Sequence, residues 1–243
     1  MIRDMRGATL ETDNSLTVYE SLEQGSPEWL EARRGIITAS EVHKLLTSNG
    51  RVATNQTARD YIADLAAERI TGHVEDAYVS HEMRLGTLNE PYARDGYAEH
   101  KNVTVDEVGF MVKQFDGFKL GFSPDGLVND NGLIEIKSRK PRIQINTILR
   151  DGVPKNNLPQ IQAGLLVTGR AWCDYVSYSG GLPLWTQRVY PDRRWQDNII
   201  EAVKNAETEI QKLVNLFHAY TKHLPVMERI DHYGDELEFT FGQ

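Results

Sequence analysis

Phe118-Lys119-Leu120-Gly121-Phe122-Ser123-Pro124-Asp125-Gly126-Leu127-Val128-Asn129-Asp130-Asn131-Gly132-Leu133-Ile134-Glu135-Ile136-Lys137-Ser138 is a run of short β-like segments. The segments 118–122, 126–129 and 133–138 are separated by Asp-Gly and Asn-Gly turn signals. Alternation along a strand puts Glu135 and Lys137 on one face and turns Ile134 and Ile136 to the other, toward a core. Asp125 precedes a glycine at a bend between strands, where backbone curvature brings its carboxylate toward Glu135. Two carboxylates held together are costly unless a cation shares the site. Oxygen-only ligation suits Mg²⁺, with Mn²⁺ as a substitute, because these ions keep several waters and share their shell with phosphate. Lys137 would add a charge able to hold an attacking water or stabilise a developing anion. Taken singly, Pro-Asp-Gly is more often a plain turn and Glu-x-Lys a same-face ion pair. The conjunction in strand context, followed by a basic segment, is what favours the metal reading.

Upstream of this stretch the pattern is helical. Ser26-Pro27-Glu28-Trp29 reads as a helix start, and Thr38 or Ser40 as the cap of a second, short helix. Apolar positions at 3.6-residue spacing predict helices over 57–70 and 83–100. Downstream, 103–112 reads as a strand, 143–150 and 158–168 as helices, and 172–179 and 184–190 as strands. A long amphipathic helix over 192–220 closes the pattern. The order predicts one α/β domain over 25–222, with a central mixed β-sheet flanked by helices. Residues 1–24 read as an N-terminal arm with little structure of its own, and 223–243 as an acidic tail.

Composition narrows the function. The single cysteine, Cys173, excludes an intrachain disulfide framework and a multi-cysteine zinc site, and it reads as a core residue. The seven histidines form no HExxH pattern, and no Walker A sequence is present. No apolar run approaches the ~18 residues of a membrane span, so a cytoplasmic protein with no membrane partner is expected. The net charge of −8 excludes a uniform basic coat for nucleic acid. The distribution is skewed, however. Lys137, Arg139, Lys140, Arg142, Arg150 and Lys155 face one anion, Asp151, over 137–155, whereas 226–243 is acidic. A polyanion can therefore be gripped locally.

Asp125…Glu135-Ile136-Lys137 resembles the PD-(D/E)xK nuclease signature. Within that superfamily the chain is similar to the YqaJ-like viral recombinase group, the bacteriophage lambda exonuclease family, over about residues 25–178. The likeness rests on Glu28-Trp29-Leu30-Glu31-Ala32-Arg33-Arg34-Gly35-Ile36-Ile37-Thr38-Ala39-Ser40, Gly86-Thr87-Leu88-Asn89-Glu90, Ser123-Pro124-Asp125-Gly126 with Glu135-Ile136-Lys137, and Gln160-Ile161-Gln162. Each is weak alone; four in the right order are specific.

The resemblance implies a restriction-endonuclease-like core and assigns roles. Asp125, Glu135, the Ile136 carbonyl and Glu90 would bind Mg²⁺, Lys137 would orient or activate water, and Gln160 would support the site, with Gln162 as its alternative. Arg33, with Ser40 and Ser123, would hold a terminal 5′-phosphate; the adjacent Arg34 is the alternative to Arg33. The activity implied is 5′→3′ hydrolysis of one strand at double-stranded DNA ends, releasing mononucleotides and leaving 3′ overhangs for annealing. A homotrimer ring, a single-strand annealing protein as partner, and a phage or prophage gene acting in a bacterial host are also implied. Competing readings are a structure-specific or single-strand endonuclease of the same superfamily, and a non-catalytic DNA-end-binding module.

Overall fold

The computed structural model describes residues 15–75 and 80–230. Along the chain run β1 (Leu16–Tyr19), α1 (Pro27–Arg33), β2 (Ile37–Thr38), α2 (Gln56–Thr71), α3 (His81–Lys101), β3 (Val105–Asp106), β4 (Phe110–Phe115), β5 (Phe118–Phe122), β6 (Gly126–Val128) and β7 (Gly132–Ser138). Then follow α4 (Pro141–Arg150), α5 (Leu158–Thr168), β8 (Trp172–Tyr178), β9 (Trp185–Val189) and α6 (Arg193–Thr221). Short 3₁₀ turns occupy Val42–Leu45 and Lys155–Asn157.

A five-stranded mixed sheet, ordered β3-β6-β7-β8-β9, frames the site. β7 lies at its centre, antiparallel to β6 and parallel to β8. The alternation expected of Glu135-Ile136-Lys137 is present. Ile134 and Ile136 pack with Ala93 and Tyr97 of α3 and with Val128 and Val176. The opposite face, with Leu133, Cys173 and Tyr175, belongs to the main core, which Ile161 and Leu165 of α5 and Ile199 and Val203 of α6 complete. Burying Ile134 and Ile136 contributes about 1.5–3 kcal/mol each. That gain helps the strand tolerate Glu135 at only 1% exposure. At the start of β7 a Cβ on Gly132 would stand 2.2 Å from the Trp172 ring, so the close approach of β8 requires glycine there.

A second, four-stranded sheet, ordered β1-β4-β5-β2, was not anticipated as a separate unit. In it β2 runs parallel to β5, with Thr38 opposite Gly121. The expected strand over 103–112 is two strands in different sheets, β3 and β4; just before β4, Gly109 sits where a Cβ would meet the Leu22 carbonyl. Within the expected arm over 1–24, which reads as having little structure of its own, Leu16–Tyr19 pairs antiparallel with β4. Residues 1–14 of that arm and most of the acidic tail, 231–243, lie outside the described residues. Ser26 caps α1 as read, accepting from the Trp29 N–H at 3.2 Å. Neither Thr38 nor Ser40 caps the next turn; Glu41 stands at that position without a side-chain bond. The basic stretch 137–155 contains α4, which matches the helix expected over 143–150 and starts two residues earlier.

Candidate active site

The β6–β7 pairing sets the first half of the site. Gly126 lies opposite Ile134, so one residue further out Asp125 faces Glu135. The nine residues between them are the length this hairpin needs. Asp125 Oδ2 accepts from the Ile136 N–H at 2.6 Å, which fixes its carboxylate at the head of β7. Lys137 Nζ stands 2.6 Å from Glu135 Oε1 and donates to Gln160 Oε1 at 3.3 Å. Beyond this Lys137 contact, both Glu135 carboxylate oxygens are buried without a further hydrogen-bond donor among the described residues.

Glu90 comes from α3 and is held by an arginine that sequence reasoning passed over. Arg94, one turn along, contacts Glu90 Oε1 at 2.6 Å, Glu107 Oε2 at 2.7 Å and the Asp125 carbonyl at 2.8 Å. Its only sequence signal was the i,i+4 spacing from Glu90. Beside it, Asn89 donates to Ser138 Oγ at 2.9 Å and ties α3 to the end of β7.

The electrostatics describe an unbalanced acidic pocket. Burial, opposed by Lys137, pushes the Glu135 carboxyl up to about 7. Burial and then the Asp125 charge push Glu90 up to about 7, with Arg94 pulling back. Burial also raises Asp125, against Lys137 and the Ile136 N–H. Burial alone would lower Lys137, but Glu135 and Asp125 outweigh it and hold its ammonium above the ordinary value. Two cations, Lys137 and Arg94, thus face three carboxylates that desolvation makes reluctant to ionise.

These residues fit a hard divalent cation. Among the described residues no group of three His, Cys, Asp or Glu side chains forms a metal cage by itself. An ion that uses one or two carboxylates and completes its shell with water and substrate phosphate needs no such cage. The buried Glu135 carboxylate, opposite Asp125, has the Lys137 ammonium at Oε1 and capacity left to ligate a cation.

A second group lies at the ends of β2 and β5. Their parallel register, Thr38 opposite Gly121, continues to set Ser40 beside Ser123. Arg33 reaches both from α1: its guanidinium is 3.4 Å from Ser123 Oγ, 3.4 Å from Thr38 Oγ1 and 3.5 Å from Ser40 Oγ. It lies 3.9 Å over the Trp29 ring, whose indole N–H donates to Ser123 Oγ at 2.9 Å. Burial lowers the Arg33 pKa. Among the described residues no carboxylate pairs with it; its partners are hydroxyls at the limit of bonding distance. Arg34 points elsewhere and pairs with Glu31. Likewise Gln162, 2% exposed, bonds the Tyr190 carbonyl and the Asp192 N–H, leaving Gln160 as the glutamine at Lys137. Trp29 and Thr38 were not read as site residues.

The profile of the YqaJ-like viral recombinase domain matches residues 28–171, which include every candidate site residue named above. The chain belongs to the YqaJ-like viral recombinase family. Among solved structures it is similar to an alkaline exonuclease (LHK-Exo) from Laribacter hongkongensis, at 32% identity and TM-score 0.73. That likeness covers 82% of this chain and 100% of that one. The same enzyme in complex with dAMP matches equally. A phage related exonuclease from Haemophilus somnus 129PT shares the fold at 12% identity and TM-score 0.58, over 75% of this chain and 96% of that one. No curated protein sequence matches significantly. This YqaJ-like protein is therefore of the nuclease kind, on the α/β architecture expected from its sequence.

Proposed function

We propose that the protein is a divalent-metal-dependent 5′→3′ exonuclease acting on double-stranded DNA ends. The observation that carries the polarity is the Arg33 pocket. A guanidinium stacked on Trp29, whose hydrogen-bond partners are the distant hydroxyls of Ser40, Ser123 and Thr38, is furnished for a phosphate bearing two charges. A terminal 5′-phosphate seated there leaves the next phosphodiester near the acidic group at the head of β7.

Mg²⁺ bound by Asp125, Glu135, Glu90 and the Ile136 carbonyl would supply Lewis acidity toward the scissile phosphate and its attacking water. Lys137, anchored by Gln160, sets an ammonium beside that reaction. It donates to oxygen, orienting water and offsetting charge that develops on phosphate. In the hydrolysis, a water oxygen bonds to phosphorus and the bond from phosphorus to the 3′ oxygen breaks, the proton going to that oxygen. The released nucleotide keeps its own 5′-phosphate, and the new strand end carries a 5′-phosphate that fits the Arg33 pocket again. The alkaline exonuclease to which the chain is similar has been captured with dAMP, a nucleotide of the class this cycle would release. A homotrimeric ring is part of this reading, since three acidic copies enclosing DNA would turn their cations inward.

The test is a linear duplex labelled in either strand, ending in 5′-phosphate or 5′-hydroxyl, with Mg²⁺ or with EDTA. Mononucleotides should leave the 5′ end, faster with phosphate, and none should appear with EDTA or with Lys137→Ala. Arg33→Ala should erase the preference for phosphorylated ends. Internal cutting without dependence on ends would replace this proposal with an endonuclease.

A further inference from the structure

A separate cleft of about 320 Å³ opens between the loop after the 42–45 turn, the start of α5 and the first turn of α6. Its charged lining is Arg51, Lys155 and Arg194, with no aspartate or glutamate; Trp195, Ser48 and Asn198 add an aromatic ring and neutral hydrogen-bonding groups. Among the described residues none of the three cations forms an ion pair. The acids beside Arg194 are engaged elsewhere. Asp192 caps α6, accepting from the Arg194 and Trp195 N–H groups, and Asp197 faces Arg193 at 3.7 Å. Three cations around one cleft, in a chain of net charge −8, are a local reversal of sign.

The cleft is preformed. Thr47 and Arg51 close a tight loop: the Thr47 N–H donates to the Arg51 carbonyl at 2.7 Å, and the Arg51 N–H to Thr47 Oγ1 at 3.1 Å. Within it Gly50, at φ +73, lies so close to Trp195 that a Cβ would stand 2.6 Å from the ring. This contact clamps the Arg51 loop against α6. The cleft also adjoins the candidate active site. Leu158, on its wall, and Gln160, at Lys137, lie two residues apart on α5, hence about 200° apart around it. The cleft and the acidic pocket therefore flank opposite sides of one helix end, separated by roughly a helix diameter of 10–12 Å.

We infer that this cleft holds single-stranded DNA, gripping phosphates of the strand that is not being hydrolysed. Three cations exceed what one phosphodiester requires and suit successive phosphates. A cleft of this volume admits a single chain, whereas a stiff duplex would lie across its rim. An aromatic ring with amide and hydroxyl groups suits bases read without sequence preference. The inference rests on the exonuclease reading only for the source of the single strand.

Binding is measurable without hydrolysis, in full-length protein carrying Lys137→Ala. The probe is a fluorescent single-stranded oligonucleotide of about 12 residues with a 5′-hydroxyl end, followed by anisotropy between about 50 and 200 mM salt. Adding Lys155→Ser and Arg194→Ser together should weaken binding by about tenfold or more at the lower salt. It should also reduce the slope of log affinity against log salt by about 1.4, or 0.7 per lost phosphate contact. Arg193→Ser, on the same turn but paired with Asp197, should change neither. An unchanged slope in the double variant, or wild-type-like cleft residues that bind duplex but no single strand, would overturn the inference. Failure of the exonuclease reading is distinguishable, because it would show as absent hydrolysis while this binding persisted.

Discussion

Replacing Arg94 by alanine should expose how the acidic pocket is held together. The Arg94 side chain is 11% exposed, and its three contacts, to Glu90, Glu107 and the Asp125 carbonyl, all lie between 2.6 and 2.8 Å. Truncating one partner of a buried, hydrogen-bonded ion pair costs about 3–5 kcal/mol, mostly because the other charge is stranded. Here the figure must be discounted, since Glu107 is 71% exposed and solvent replaces its partner. Glu90, at 25% exposure and already raised by burial and by Asp125, is the group left stranded. A loss of about 2–3 kcal/mol follows, and at ~2–4 °C per kcal/mol for a domain of this size the Tm should fall by about 4–12 °C. The assay is thermal unfolding followed by circular dichroism in metal-free buffer, which keeps the stability effect apart from catalysis. Adding Glu90→Gln to Arg94→Ala should recover part of the loss, with a coupling of about 1 kcal/mol or more in the double-mutant cycle. A Tm within about 2 °C of wild type, or strictly additive effects of the two substitutions, would refute the view that Arg94 balances the Glu90 charge.

Metal addition and substitutions elsewhere have expected outcomes as well. Mg²⁺ at ten times its dissociation constant should stabilise the protein by about 1.4 kcal/mol, raising Tm by roughly 3–6 °C, and Asp125→Asn should abolish that shift in a calorimetric titration. Gly132→Ala should destabilise by about 1–3 kcal/mol, measured by urea unfolding, because the new Cβ meets the Trp172 ring on which Arg188 stacks at 3.5 Å. Gln162→Ala should lower stability by about 1–3 kcal/mol by stranding the Tyr190 carbonyl and Asp192 N–H; Gln160→Ala should leave Tm nearly unchanged while slowing nucleotide release.

Local information sufficed for much of this protein. Helices α2, α3, α5 and α6 follow from apolar spacing and turn residues acting over a few positions, and the observed ends lie within about two residues of those expected. Strand alternation placed Glu135 and Lys137 together on one face of β7 and Ile134 and Ile136 on the other, since the period of two is a property of the backbone itself. The spacing of Asp125 from Glu135 was legible for the same reason: it is the length of one hairpin.

Other choices depended on partners distant in sequence. Adjacent helix positions diverge by about 100°, so nothing local separates Arg33 from Arg34 or Gln160 from Gln162; the packing of α1 beside β2 and β5, and of α5 beside β7, does. That Ser40 and Ser123 both lie within reach of Arg33 depends on the pairing of parallel strands some eighty residues apart. Leu16–Tyr19 became a strand because β4 offered an edge, and 103–112 divided because its two halves found different sheets. The charges of Arg51, Lys155 and Arg194 are each unremarkable in the sequence and form a cleft only where three segments converge. The sequence by itself determined which segments form and which faces they present; the tertiary structure decided which of those faces meet, because that depends on pairings whose energy is realised only when distant parts of the chain are brought together.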